Sequence, residues 1–402
     1  MCIRDSSLAF PIQTLLIAVA VGTAAGLNSL LSRKLGAGRL KEANAVANHG
    51  VLVSLLSSIP FMLFGLLFAP LFISAFTSNQ VIIHQGASYL LITMICSSAV
   101  LVEITYERIF QSTGHAMYSM CMQGIGALIN IVLDPIFIFG WFGLPAMGVI
   151  GAALATVTGQ ILSVLLGIYL QHHHVKEIHI TPKQFHFETW IIKQMYAVGI
   201  PSIVMQSIVT ILTIGMNAIL AQTSETAVSV FSIYFKLQSF VFMAVFGMNN
   251  ALVAILGYNF GAKQKERIME AVRFSIRLAV AIMLIGTIIF QLFPDILLRL
   301  FDADKEMLMI GIPALRIISL SFVFAGISIE ISALFQAIGK GTYSLYISVL
   351  RQLVIILPCA YLFNHLFGID ATWISFVIAE IIAMFISLIF YQQVKKKILE
   401  SM

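Results

Sequence analysis

The chain has 402 residues, of which 59% are hydrophobic and 10% charged, with a net charge of +5 and a mean hydropathy of +0.98. An ordinary soluble domain is about one-quarter charged, so this composition excludes that class and requires a lipid bilayer around most of the chain. The four cysteines, Cys2, Cys96, Cys121 and Cys359, stand singly, without the spacing of a disulfide framework or a zinc site, and read as small core residues.

Met1 to Ser7 are polar, and Arg4 alone is a poor signal-peptide n-region, so residues 1–7 read as a non-native leader. A helix needs about 20 apolar residues to cross a bilayer. Such runs centre on 8–31, 46–69, 86–106, 117–139 and 148–170, then, after a polar stretch, on 194–219, 226–256, 274–293, 308–334, 343–363 and 371–391. That makes eleven spans. The polar stretch, residues 171–193, contains His172, His173, His174, His179 and His186; a metal cluster or pH sensor there is a weaker reading than a solvated, flexible tether. It divides the chain into an N-terminal lobe, 8–170, and a C-terminal lobe, 194–402.

Alternating sidedness puts seventeen Lys and Arg, from Arg33 to Lys397, on one set of loops and only Arg299 and Lys305 on the other. The positive-inside rule then makes the basic loops and the C-terminus cytoplasmic and leaves the N-terminus outside. An internal repeat accounts for that odd terminus. Ser32 to Gly38 (SRKLGAG) recurs 225 residues later as Gly257 to Lys263 (GYNFGAK), and the same offset carries Gln13 to Gln238, Gly22 to Gly247, Gln111 to Gln336 and Gly114 to Gly339. The two copies lie six spans apart on the same side, so the halves are parallel repeats. The counterpart of span 194–219 would precede residue 1, and the first lobe is read as having five helices of an original six.

With the repeat in place, the chain resembles the multidrug and toxic compound extrusion family after Ser7. The resemblance is carried by Asn130 to Pro135 (NIVLDP), Gly148 to Thr156 (GVIGAALAT), Val198 to Ser202 (VGIPS), Asn259 to Ala262 (NFGA), Gly339-Lys340, Arg351-Gln352 and Pro358. Gly368-Ile369, Trp373 and Glu380 fit the same pattern. The resemblance implies an all-α membrane protein of two parallel six-helix lobes, related by a pseudo-two-fold axis along the membrane normal. It also implies a central cavity open alternately to either side, export driven by Na+ or H+, no cofactor, and a monomer in the bacterial cytoplasmic (inner) membrane.

Ionisable groups within spans cost about 2.5–3.5 kcal/mol to insert and are functional candidates. Asp134 has no buried base in its own lobe and is the prime candidate for cation coupling, by holding Na+ or by titrating. At 100 degrees per residue, Gln123, Asn130 and Asp134 fall within about 40 degrees on one face, which should point to protein or water. The alternative is that Asp134 satisfies nearby backbone. Glu103 is a further coupling candidate, with Arg108 as a structural partner.

Gln206, Thr210, Thr213 and Asn217 form a similar stripe within about 60 degrees and are read as lining a substrate cavity, or as bonding between helices. Lys236, deep in its span, and Met243 join them as cavity candidates, with lipid-facing or paired roles as the alternatives. Arg316, Glu330, Arg351 and Glu380 are expected to form a charge network in which bases offset the acids. The family also has members with a glutamate in the span matching 194–219, which carries no carboxylate here, and Glu330 does not clearly occupy the familiar position in the tenth span. A flippase for lipid-linked oligosaccharide would want a strongly cationic cavity, which these offset charges do not supply. An intramembrane enzyme would need H-E-x-x-H, paired aspartates or a serine–histidine pair within spans, and none occurs.

Overall fold

A computed structural model describes residues 9–181 and 186–399; the leader proposed for residues 1–7 lies outside them. The described residues are helical, without strands, and fall into two compact units, 1–203 and 204–402. The division falls inside a helix, ten residues beyond the boundary expected at 193/194.

The first unit contains α1 (Phe10–Gly36), α2 (Leu40–Ser74), α3 (Gln80–Ile95), α4 (Ser97–Ser112), α5 (Ala116–Phe139), α6 (Val149–His174) and the start of α7 (Thr189–Ala221). The second contains the rest of α7, α8 (Glu225–Gly261), α9 (Lys265–Leu292), α10 (Pro294–Arg299), α11 (Lys305–Ser319), α12 (Phe322–Ala337), α13 (Gly341–Phe367) and α14 (Ile369–Lys397). Nine described helices are long and apolar enough to span a membrane, and the two bent pairs α3–α4 and α11–α12 raise this to eleven. These are the eleven apolar runs of the sequence.

The offset of 225 is reproduced in the backbone. Gly36 ends α1 as Gly261 ends α8; α2 and α9 begin at Leu40 and Lys265; α3 and α11 begin at Gln80 and Lys305. Gly114 and Gly339 both turn the chain at φ +81, a left-handed conformation that favours glycine. Each bent pair turns through 46°.

The sequence reads each bent pair as one continuous span, and the breaks have a local cause. At the first, Ser97 donates its hydroxyl to the Ser58 carbonyl of α2 at 3.3 Å. At the second, Thr287 and Gln291 of α9 donate to the carbonyls of Ser319 at 3.0 Å and Arg316 at 2.7 Å. At the second break, polar side chains of α9 thus take up carbonyls that a helix end would leave unpaired in lipid, whereas at the first the hydroxyl that opens α4 ties the break to the backbone of α2. A further irregularity is a π-helical stretch, Leu350–Ile356, within α13.

Apolar packing fixes these elements within each unit. In the first, Gly22 and Gly26 of α1 let the start of α7 approach closely: a Cβ on Gly26 would meet the Met195 carbonyl oxygen at 2.1 Å. In the second, Phe231, Tyr234, Trp373 and Phe322 centre the largest core cluster. Exposed Leu67, Leu71, Ile214 and Phe240 sit where lipid replaces water as the surrounding solvent.

The connector departs from the flexible tether expected for 171–193. Residues up to His174 complete α6, and Thr189 already opens α7. Between them the described residues form a strap across α2. The His179 backbone is held at both ends: its N–H donates to Asn44 Oδ1 at 2.9 Å and its carbonyl accepts from Asn48 Nδ2 at 3.1 Å. Thr181 N–H donates to Asn48 Oδ1 at 3.0 Å, and Glu188 N–H to His49 Nε2 at 2.8 Å. Val175 and Ile178 are buried beneath it.

Candidate functional site

Asp134 lies near the end of α5, which packs along α6 at glycine contacts; a Cβ on Gly159 would stand 2.8 Å from the Gly126 carbonyl oxygen. Of the predicted stripe, Gln123 is exposed while Asn130 and Asp134 are half-buried. Asn130 donates to Thr156 Oγ1 of α6 at 3.4 Å. One turn on, Asp134 Oδ1 is buried and accepts no hydrogen bond. A carboxylate oxygen in that condition is available to a cation or a proton. The stripe is therefore graded, open at Gln123 and with one oxygen enclosed at Asp134, and Pro135 removes the α-helical N–H that would otherwise follow.

Glu103 is half-buried on α4 and faces the Ser163 hydroxyl of α6. The expected partnership with Arg108 does not form. Arg108 is directed instead to Gln111, donating from Nη1 to Oε1 at 2.8 Å, because five residues on a helix turn the two side chains well apart. Gln111 passes the contact on to Ser119 of α5. Glu107 is 5% exposed and keeps Oε1 without a donor, and Arg108 keeps Nε without an acceptor.

In the second unit the α7 stripe occupies an accessible face. Gln206 and Thr210 are exposed, and Thr213 and Asn217 are half-buried. Thr213 bonds back to the Val209 carbonyl at 2.9 Å, whereas Asn217 Oδ1 is enclosed without a donor. On α8, Lys236, Phe240 and Met243 share an exposed face at i, i+4, i+7 spacing, and the Lys236 ammonium lies 5.7 Å from the Phe301 ring centre.

The four-residue charge network is corrected. Arg351 Nη1 contacts both oxygens of Glu380, at 3.1 and 3.3 Å, in a largely buried pair. Arg316 and Lys236 are exposed and pair with neither acid. Glu330 is 0% exposed with both carboxylate oxygens unbonded; Ser275 of α9 stands beside it but donates its hydroxyl to Val272. The acid without a base is therefore a feature of both units.

The sequence reading missed a hydroxyl and amide seam in the first unit. Ser112 and Ser32 both donate to Asn28 Oδ1, at 2.8 and 3.3 Å, and Ser54 bonds Thr105 across α2 and α4. Serine and threonine in apolar runs give no signal of their own; only the repeat, which sets Thr105 opposite Glu330, marks the position. Among the described residues no group of three or more His, Cys, Asp or Glu is placed to hold a metal ion, and two histidines of the α6 terminus pack tilted against tyrosines, His174 against Tyr118 and His173 against Tyr169.

Comparison with known proteins gives a consistent result. The MatE family pattern matches residues 6–136 and 201–362. The multidrug export protein MepA of Staphylococcus haemolyticus (strain JCSC1435) is 23% identical over 392 residues, covering 98% of this chain and 85% of its own. A multidrug resistance MATE family transporter of the MOP superfamily, solved in an outward-facing conformation, superposes with a TM-score of 0.93 at 26% identity, covering 100% of this chain and 89% of its own. A MOP superfamily transporter from Pyrococcus furiosus Vc1 (DSM3638), described as having a binding pocket of reverse polarity that suggests a different function, superposes at 0.90 with 25% identity, covering 97% and 87%.

Proposed function

Because the chain belongs to the MatE family of multi-pass membrane transporters, and is accordingly a secondary transporter and not an enzyme, we propose that it exports small cationic or amphiphilic organic compounds in exchange for Na+ or H+. Transport proceeds by alternating access in a monomer, with the C-terminus cytoplasmic, a sidedness that the distribution of Lys and Arg supports. The relatives' names support drug export, and the half-enclosed polar stripe on α7 supports a cavity that is mostly apolar with a few polar contacts.

The observation that carries coupling is Asp134 Oδ1, enclosed on α5 without a donor and one turn from Asn130. Two states of such a group, with and without a cation, differ in charge within a low-dielectric setting, and that difference can bias one conformation over the other. Asn130 supplies an amide oxygen and Thr156 a hydroxyl oxygen of the hard type that Na+ prefers.

The test is efflux of a fluorescent cationic dye from proteoliposomes under imposed sodium and proton gradients, with Asp134→Asn alongside. Gradient-driven efflux that disappears in the variant supports coupled export through Asp134, and the gradient that drives it identifies the ion. No efflux under either gradient, from protein shown to be folded, overturns the proposal.

A further inference from the structure

The two units treat one equivalent groove differently. In the first, the face of α2 that carries Asn44 and Asn48 is covered by the strap from Val175 to Thr181. Adding 225 carries Asn44 and Asn48 to Met269 and Arg273 of α9. There no strap of described residues covers the face, and a cavity of about 480 Å³ opens between α9 and the end of α14.

Its walls are charged. Lys265, Arg273 and Arg277 come from α9 and Lys395 from α14, and none of the four makes an ion pair with a described residue. Glu266 and Glu270 line the same cavity, so bases outnumber acids by four to two. The helix brings these α9 residues to one face, since 265, 266, 269, 270, 273 and 277 repeat at three- and four-residue spacing. The floor is apolar: Met269 lies between the charged residues, and its sulfur accepts from the Tyr391 hydroxyl of α14 at 3.4 Å.

The same α9 face continues into the bilayer-spanning part of the helix. Leu284 and Ile288 follow Arg277 at seven and eleven residues and are 49% and 47% exposed. Cationic groups at the mouth of a cavity whose wall runs on into lipid-facing apolar side chains match one kind of molecule, an anion with acyl chains attached.

We propose that this groove is a binding site for an acidic phospholipid, with the phosphate held by Arg273, Arg277, Lys265 and Lys395 and the chains lying along Leu284 and Ile288. The lipid would cover in the second unit the surface that polypeptide covers in the first. The site is independent of Asp134 and of export, so its failure would leave the transport reading standing.

Native mass spectrometry and melting of the full chain test it with three ligands: phosphatidylglycerol, phosphatidylcholine, and glycerol phosphate as the headgroup without tails. Phosphatidylglycerol is expected to be retained and to raise the melting midpoint, and the other two are not. Arg273→Gln with Arg277→Gln should weaken phosphatidylglycerol by about 25-fold, at about fivefold per base removed. The paired lysine variants should retain most of the binding. Lys395→Gln, on the opposite wall, gives an independent loss of about fivefold if the α9 variants fold poorly. Arg299→Gln with Lys305→Gln, at the far ends of the helices, should change nothing. Equal binding of both phospholipids, unchanged binding in the glutamine variants, or glycerol phosphate binding as tightly as the lipid would each overturn the assignment.

Discussion

The two units share a backbone and differ in what fills it. Several of their helix ends coincide at an offset of 225, as do their 46° bends and their Gly114 and Gly339 turns. At one equivalent place between packed helices, however, the first unit has a Ser54–Thr105 hydroxyl pair and the second has Glu330 beside Ser275. Duplication thus preserved the geometry that a bilayer demands and left the interior chemistry free to diverge, so function must be assigned residue by residue and not by fold.

The sharpest test of that difference is the ion pair confined to the second unit. Arg351→Met leaves Glu380 enclosed without its partner and should cost about 3–5 kcal/mol, read as an early melting transition in detergent. Arg351→Met with Glu380→Met should recover most of the loss. A double variant as unstable as the single would mean that the pair is needed for more than mutual neutralisation.

Next in size is the exchange of chemistry between units. Thr105→Glu places a carboxyl in the first unit where the second already has one, but opposite Ser54 in a seam built for hydroxyls. It should destabilise by about 2.5–3.5 kcal/mol, the insertion cost of a charge. A near-neutral result would show that the two interiors are interchangeable.

Asp134 and Glu330, an acid without a base in each unit, are then separated by function. Asp134→Asn should forfeit a coupling of about 1–3 kcal/mol, roughly 5- to 150-fold in gradient-driven efflux, with melting unchanged. Glu330→Gln should transport like the parent, because Glu330 is 0% exposed and has no accessible face such as α5 gives Asp134. If Glu330→Gln abolishes coupling and Asp134→Asn does not, the roles of the units are reversed.

The spans were legible because bilayer thickness forces about 20 apolar residues into each, and the duplication because loop glycines keep a fixed offset. The breaks at Cys96 and at Leu320–Ser321 were not. A hydropathy window averages across a bend, and the groups that meet at the bends, Ser97 with the Ser58 carbonyl and Thr287 and Gln291 with the Ser319 and Arg316 carbonyls, are paired only in three dimensions. The same limit explains the charges. The sequence grouped Arg316, Glu330, Arg351 and Glu380 without saying which base meets which acid, because helix rotation decides whether a base faces its lobe or its surroundings. Asp134 stood out in the sequence as an acid within a span and without a base in its lobe, yet the enclosure of one of its oxygens required coordinates.

The smallest expected effect concerns the strap, where a stretch read as a solvated linker is ordered by asparagines. Asn48→Ala removes the contacts to the His179 carbonyl and the Thr181 N–H, each worth about 1 kcal/mol. Asn44 would still accept from the His179 N–H, and Val175 and Ile178 would stay buried, so the strap should loosen without detaching. Hydrogen exchange is the suitable measurement, with the Thr181 amide expected to exchange about fivefold faster as one bond's worth of protection is lost. Arg273→Ala, at the position equivalent to Asn48, should leave amide exchange in the second unit unchanged because no strap is held there. If Thr181 exchanges as before in Asn48→Ala, apolar burial and not the asparagine holds the strap, and the contrast between the two grooves would depend on Val175 and Ile178 instead.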